Sequence, residues 1–320
     1  RPRRSIAVLP VIFRPLSGSV SKVELVQYLD KMSKNLRLIL IQHRTAGHVK
    51  EENMEYVIGK IREAVADEKR TSVPILVVLP ELINSPYGPS YFDKYAELIP
   101  DGYTSKALSA VAKELGIYII GGSYPERDPQ NPKTLYNTCT VWGPKGELLA
   151  KHRKVHLYDI EVPGKVTFKE SSAMTPGKNF TIVDIGPAKI GIGICFDIEF
   201  DEFARVYRNE GCNFLVYPAA FPIYTGELHW ELYQRARAAD TQSYVTMVSA
   251  SRDYSNPFVN WGYTMLVDPW ARVIKKAGEE EEIIKADLDF ALADSAREQL
   301  PCFRKRRTDM YDVVAKVPLK

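Results

Sequence analysis

From residue 36 onward the chain alternates between two hydrophobic rhythms. Short apolar runs of strand length occupy residues 36–41, 74–79 and 117–120. The second reads PILVVL and is rich in β-branched side chains, the mark of a buried strand. Between the first two runs, residues 50–68 place Met54, Val57, Ile58, Ile61 and Val65 three or four apart, which is one face of a helix. A further helical stretch passes through Leu108, Val111 and Leu115 and stops at Gly116, with Thr104 positioned to cap it. Two hairpins follow. Residues 136–142 and 147–152 flank Gly143-Pro144-Lys145-Gly146, and residues 181–185 and 189–194 flank Gly186-Pro187.

The second half repeats the alternation. The pattern predicts helices over 199–209, 226–240 and 288–297, and strands over 214–217, 244–250, 263–267, 272–276 and 283–286. No Pro/Gly/Ser-rich linker interrupts it, so one α/β domain is expected. Two α-β halves can stack sheet on sheet as a four-layer αββα sandwich. A barrel or a doubly wound sheet fits the same pattern.

Charge changes the picture only at the N-terminus. The 320 residues carry 43 Lys and Arg against 40 Asp and Glu, a net charge of +3. Residues 1–31 hold six basic side chains and only two acidic ones, Glu24 and Asp30, so the remainder is close to neutral. Residues 1–23 have no acid and contain Ser5, Ser17, Ser19 and Ser21, the composition of a mitochondrial transit peptide. A disordered extension, or sequence upstream of an initiator at Met32, has the same signature. Residues 22–30 fit a short helix. The expected location is the cytoplasm, or the mitochondrion where residues 1–31 act as a transit peptide.

The neutral body lacks the basic face of a nucleic-acid binder. No apolar run reaches the roughly 18 residues that cross a bilayer, so neither nucleic acid nor membrane is an expected partner. The four cysteines, Cys139, Cys195, Cys212 and Cys302, show no CxxC spacing, which suits free thiols in a reduced compartment. Cys139, Cys212 and Cys302 read as core residues.

Three strand ends carry residues suited to chemistry. In α/β folds reactive groups gather where strands end. Glu81 follows the run at 74–79, where partial desolvation raises a carboxyl pKa and makes a usable base; a solvated loop acid is the plain alternative. The segment 151–156 (KHRKVH) follows a strand and reads either as a surface patch or as a source of an inward-turned Lys for an oxyanion. His152 and His156 could pair on a metal, but no acid or Cys stands at a zinc-motif spacing, so no metal is expected. In 191–198 (GIGICFDI), Cys195 follows a strand and precedes a helix. That is the layout of a nucleophile elbow, where a helix N-terminus lowers a thiol pKa. A base, a cation and a thiol at successive strand ends suit amide hydrolysis.

These segments, together with 168–177 (FKESSAMTPG), 225–245 and the C-terminal RRTDMY (306–311), resemble the nitrilase, or carbon–nitrogen hydrolase, superfamily. The likeness runs in register from about residue 36 to 311. The NSPY after Glu81 and the HWELYQRARA segment look most like its omega-amidase branch. The resemblance implies residues 32–320 as the hydrolase domain, an αββα fold and a homodimer. It implies Glu81 as base, Lys154 as oxyanion stabiliser and Cys195 as nucleophile, with Glu170 in support and the Phe196 backbone N–H completing the oxyanion hole. It implies attack on the ω-amide of a small dicarboxylic acid monoamide of the α-ketoglutaramate or α-ketosuccinamate type. Ammonia and a thioester form, and no cofactor takes part.

The resemblance also implies Tyr87 and Thr225 as further substrate contacts. Glu199 stands where the family usually has Arg, a reversed charge four residues past Cys195. Were it to face the pocket, it would oppose a second carboxylate and favour a neutral or cationic amide, or an N-carbamoyl amino acid. Were it to face outward or pair with Arg205 or Arg237, that objection would lapse. Arg235 and Arg237 read as ion-pair or dimer residues, and 304–307 as a solvated basic patch. A silent dimeric binding protein of the same fold is the alternative from another class, against which the intact Glu81, Lys154 and Cys195 stand.

Overall fold

The computed structural model describes residues 34–69 and 71–319. The expected short helix over 22–30 and the proposed extension therefore lie outside the described residues.

Two six-stranded sheets face one another. The first has the order β14-β1-β2-β3-β4-β5, from β1 (Asn35–Gln42), β2 (Ile75–Val78), β3 (Tyr118–Arg127), β4 (Leu135–Trp142), β5 (Leu148–Arg153) and β14 (Glu282–Asp289). The second has the order β13-β12-β11-β10-β9-β8, from β8 (Thr181–Asp184), β9 (Lys189–Ile192), β10 (Phe214–Pro218), β11 (Tyr244–Val248), β12 (Met265–Val267) and β13 (Val273–Lys276). At each sheet's centre three strands run parallel, β1-β2-β3 and β9-β10-β11, with antiparallel strands outside them.

The alternation of β1 decides the layering. Successive strand side chains point to opposite faces. Leu36, Leu38 and Leu40 therefore join Leu76, Val78, Ile190, Ile192 and Val216 in the core between the sheets. Ile39 and Ile41 face the other way and pack on Met54, Val57, Ile58 and Ile61 of helix α1 (Lys50–Val65) and on Leu108 and Val111. These last two belong to α3 (Tyr103–Leu115), which follows a short α2 (Pro89–Tyr95). On the outer side of the second sheet lie α4 (Asp201–Asn209) and α5 (Ile223–Thr241), which contribute Phe203, Ala204, Tyr207, Trp230 and Ala238. Helix α6 (Ala291–Gln299) follows β14. The result is the αββα sandwich, which removes the barrel and the doubly wound sheet from consideration.

Most predicted elements appear with shifts of a few residues, and three differences have clear causes. Helix α3 is not capped by Thr104, which lies inside its first turn. The Glu97 carboxylate accepts from the Thr104 N–H at 2.8 Å and its hydroxyl at 2.9 Å, so a residue outside the local pattern supplies the cap. The predicted helix at 199 starts at Asp201, because residues Cys195–Glu199 form a separate 3-10 turn. The small hairpin of β6 (Asp159–Val162) and β7 (Val166–Lys169) went unpredicted. Its residues have no apolar run to mark a strand.

Candidate active site

Glu81, Lys154 and Cys195 follow the C-terminal ends of β2, β5 and β9. Each turn is fixed by a close backbone approach. Beyond β2, Leu79 donates to the Ile120 carbonyl, and Ser123 donates to the Pro80 carbonyl. That crossing requires Gly122, which has a φ of 61° and whose Cβ, were there one, would lie 2.0 Å from the Pro80 oxygen. Beyond β5, the Lys154 N–H bonds the Asn137 carbonyl at 2.8 Å, and the Lys154 carbonyl accepts from Gly177 at 2.7 Å. A side chain at Gly177 would strike the Arg153 carbonyl oxygen at 2.1 Å. Beyond β9, Cys195 has a φ of 48°, a strained conformation for a side-chain-bearing residue and the mark of a nucleophile elbow.

The three side chains converge in a site closed to solvent. The Lys154 ammonium lies 2.9 Å from Glu81 Oε1 and 2.9 Å from Glu170 Oε2, with all three side chains fully buried. Glu170 begins a 3-10 turn directly after β7, and its Oε2 also accepts from the Tyr158 N–H at 2.7 Å. Asn137 Nδ2 bridges the two carboxylates, at 2.7 Å to Glu81 Oε1 and 3.1 Å to Glu170 Oε1. Glu81 Oε2 is buried and has no hydrogen-bond partner among the described residues. The Cys195 Sγ points to the Ala220 carbonyl at 3.7 Å.

Electrostatics sort these groups into roles. Burial raises the Glu81 carboxyl; Lys154 opposes the shift and Glu170 adds to it. Burial by itself would lower Lys154, but Glu170 and Glu81 outweigh it and hold the ammonium well above the ordinary lysine value. Cys195 corrects a sequence expectation. Its thiol is pushed well above the ordinary value by burial and then by the Glu81 charge, with Lys154 only partly offsetting them. The helix N-terminus does not dominate, because a short 3-10 turn has a weak dipole and the site excludes water. The resting pair is a thiol beside a carboxylate with a raised pKa. Such an arrangement is chemically able to form a thiolate by one proton transfer to the carboxylate, next to a cation fixed in place.

Asp197, two residues past the thiol, holds the two chain segments together. Its Oδ1 accepts from the His156 N–H at 2.9 Å and faces His156 Nδ1 at 2.8 Å. Its Oδ2 accepts from the Ile194 N–H at 2.9 Å and faces His152 Nε2 at 3.4 Å. One buried carboxylate thus grips both sides of Lys154 and the residue before Cys195. The two histidines considered as a metal pair are bonded to this carboxylate, and among the described residues no group of three or more His, Cys, Asp and Glu side chains is arranged to hold a metal ion.

Of the remaining candidates, Tyr87 forms part of a wall. Tyr87 stacks on Phe258 at 3.9 Å between ring centroids and lies 5.3 Å from Phe168. Its hydroxyl is buried without a partner among the described residues, and burial followed by the charges of Glu81 and Glu170 pushes its pKa well up. Thr225 is buried in the first turn of α5. In front of this wall a cavity of ≈ 610 Å3 opens between Tyr87, Phe168, Pro222, Tyr224, Glu227 and Phe258. Phe196 occupies the first turn of the 3-10 segment, where backbone donors have no acceptor within the helix.

Glu199 pairs with neither arginine considered for it. Its Oε2 accepts from the Tyr233 hydroxyl at 3.1 Å. Arg205 bonds Asp201 at 2.9 Å. Arg237 donates to the carbonyls of Ile198 and Glu199, each at 2.8 Å. Burial raises the Glu199 carboxyl, with Tyr233 and His229 opposing. Arg235 bonds the Ala271 carbonyl and lies 3.6 Å from Glu231. Cys302 is exposed, not a core thiol, while Cys139 and Cys212 are buried as expected. Asn137 and Asp197 escaped sequence reasoning as functional residues. An Asn inside a strand and an acid beside a thiol each have commoner structural uses; only the expected adjacency of Asp197 to Cys195 offered a signal.

This geometry has close relatives. The carbon-nitrogen hydrolase family model matches residues 38–298. The chain is 49% identical over 280 residues to the bovine protein "Omega-amidase NIT2", covering 88% of this chain and 98% of that one. It is 47% identical to the human "Omega-amidase NIT2", covering 89% and 99%. Among solved structures, Saccharomyces cerevisiae Nit3, described as a member of branch 10 of the nitrilase superfamily, is similar with a TM-score of 0.78 and 36% identity. That match covers 85% of this chain and 97% of that one. With a sandwich of two facing sheets, a buried Glu, Lys and Cys at its strand ends, and a family match across most of its length, the chain belongs to the carbon–nitrogen hydrolase family and is a hydrolase of carbon–nitrogen bonds other than peptide bonds.

Proposed function

We propose that the protein is a cysteine-dependent omega-amidase that releases ammonia from the ω-amide of a small dicarboxylic acid monoamide, such as α-ketoglutaramate or α-ketosuccinamate. The observation that carries this reading is the convergence of Lys154 on Glu81 and Glu170 beside the Cys195 thiol, in a chain nearly half identical to omega-amidases over almost their whole length. Glu81 Oε2 takes the thiol proton, and the thiolate sulfur bonds the amide carbon. The oxyanion that forms meets the Lys154 ammonium and the Phe196 N–H. Glu81 returns the proton to the departing nitrogen, so ammonia leaves and a thioester remains. Water then loses a proton to Glu81 and adds to the thioester. Collapse expels the thiolate, which recovers the proton from Glu81 as the carboxylic acid departs. Glu170 and Asn137 orient Lys154 and Glu81, and Tyr87 and Thr225 contact the substrate. All of the chemistry is carried by side chains and backbone.

The same reading takes the protein as a homodimer. Tyr224, Leu228 and Leu232, spaced four apart on α5, form an exposed apolar stripe suited to a second copy. The test of the substrate assignment is a panel of small amides, nitriles and N-carbamoyl compounds assayed for ammonia. α-Ketoglutaramate is expected to give the largest kcat/KM, and a panel in which a nitrile or an N-carbamoyl amino acid leads would overturn the assignment.

A further inference from the structure

The C-terminal end of α4 carries a buried cation without an anion. Arg208 is 8% exposed, and its Nε has no acceptor among the described residues. Its charged neighbours are Arg297 and Arg306; burial and these two like charges push its guanidinium down to about 10. Arg306 is itself largely buried, and its Nε is also unpartnered. The guanidinium carbons of Arg208 and Arg306 lie 4.2 and 4.7 Å from the centroid of one ring, Phe303. They are therefore no further apart than the sum of those distances. The expected solvated basic patch at 304–307 is found at Arg304, Lys305 and Arg307, which are exposed, but not at Arg306, which is folded in against Phe303.

Little compensates this charge. Arg297 donates to the Gln242 and Cys212 carbonyls and to the Ser243 hydroxyl, not to an acid. Arg306 reaches Asn209 Oδ1 at 3.1 Å and, at 3.3 Å, the exposed Asp312. The face of Phe303 and the negative end of α4 offset part of the cost. Asp294 acts on Arg297 and Asp312 on Arg306, but Arg208 has no carboxylate partner among the described residues, so positive charge is in excess where an unpaired buried cation is expensive.

We propose that Arg208 and Arg306 form a binding site for a phosphate group, either free phosphate or the terminal phosphate of an ester. A guanidinium offers a fork of donors matched to phosphate oxygens. A tetrahedral dianion can engage two forks at once and balances the excess, whereas one carboxylate fills a single fork. The site lies at the far end of α4 from Cys195, about 13 Å along a helix of that length, and stands independently of the amidase assignment.

The test is thermal unfolding of the full chain and of Arg208→Met in sodium phosphate, phenyl phosphate and sodium succinate, each matched in ionic strength to sodium chloride. Phosphate is expected to raise the wild-type Tm by a few degrees with saturable dose dependence. Arg208→Met is expected to lose the saturable part while keeping its amidase rate, and in chloride to unfold no earlier than wild type. A matching effect of phenyl phosphate assigns an ester; an effect of phosphate alone assigns the free ion. An equal rise in both proteins would be a general salt effect and would overturn the proposal. So would stronger stabilisation by succinate, or no saturable shift in wild type. Should Arg208→Met fail to fold, Arg306→Gln must weaken the phosphate midpoint several-fold, and an unchanged midpoint would overturn the proposal.

Discussion

The Lys154 ammonium sits 2.9 Å from the Glu81 carboxylate with neither side chain exposed. Removing one partner of such a pair leaves a buried charge without its counterpart, at a cost of about 3–5 kcal/mol. Lys154→Met is therefore expected to lose ammonia release by about a hundred- to a thousandfold, the range of a missing oxyanion donor. It is also expected to unfold at lower denaturant. A variant with near wild-type kcat, measured on folded protein, would remove Lys154 from the reaction.

Glu170 holds the same ammonium from the other side. Glu170→Gln keeps the side-chain shape and drops one of the two charges that keep Lys154 protonated. The expected result is a fall in kcat of about a hundredfold with KM within a few-fold of wild type, since an interaction felt mainly in the transition state is lost. A rise in KM with kcat unchanged would make Glu170 a substrate contact.

The pH profile follows from Glu81. Its carboxyl is raised by burial, and it must be ionised to take the thiol proton. Activity then falls as pH drops through that raised value, so the acid limb of kcat/KM lies above the ordinary Glu value of about 4.3. Lys154 is held well above the lysine range and contributes no alkaline limb below about pH 10. An acid limb at or below the ordinary value would contradict the assignment of the base.

Asp197 is fully buried and is bonded to His152, His156 and Ile194, on either side of Lys154 and just before Cys195. Two histidines lower its carboxyl far below the ordinary Asp value, overcoming the opposing effect of burial. A depressed folded-state pKa gives stability that is complete above the unfolded value of about 3.9 and fades as pH falls toward the folded one. Asp197→Asn is expected to lose about 3 kcal/mol at pH 7 and to flatten the pH dependence of unfolding below pH 5. It should lower kcat more than KM. An unchanged acid limb of stability would show that this carboxylate does not carry the effect.

Glu199 sets a further prediction. Its charge and the Cys195 thiolate are both felt by the Tyr158 hydroxyl, which burial raises to about 12. Glu199→Gln retains an acceptor for Tyr233 and removes the charge. KM for α-ketoglutaramate is expected to fall several-fold, with little change for a neutral monoamide. Equal effects on both substrates would place Glu199 outside specificity.

The sequence made the strands and helices readable because the apolar runs are short and α1 keeps its spacing, but it left sandwich, barrel and doubly wound sheet open, because β1 is apolar on both faces and only the packing separates them. It made Glu81 and Cys195 stand out because each follows an apolar run, whereas Lys154 was singled out of the basic segment 151–156 only by the family resemblance. It did not reveal how long-range contacts complete the site. Asn137 lies 56 positions from Glu81 and 33 from Glu170, and Asp197 lies 41 from His156, so no local pattern records these pairings. The thiol expectation failed for a related reason. Helix position is local, but the burial that raises Cys195 comes from both sheets closing over it. Thr104 lost its predicted cap to Glu97, a residue of the preceding loop.

Ammonia release from α-ketoglutaramate by wild type and by Cys195→Ala, both verified as folded, tests the central claim most directly. A thiol that forms the thioester cannot be replaced by a methyl group, so the variant is expected to release no ammonia above background while wild type turns over. Turnover by Cys195→Ala at the wild-type rate would contradict the account.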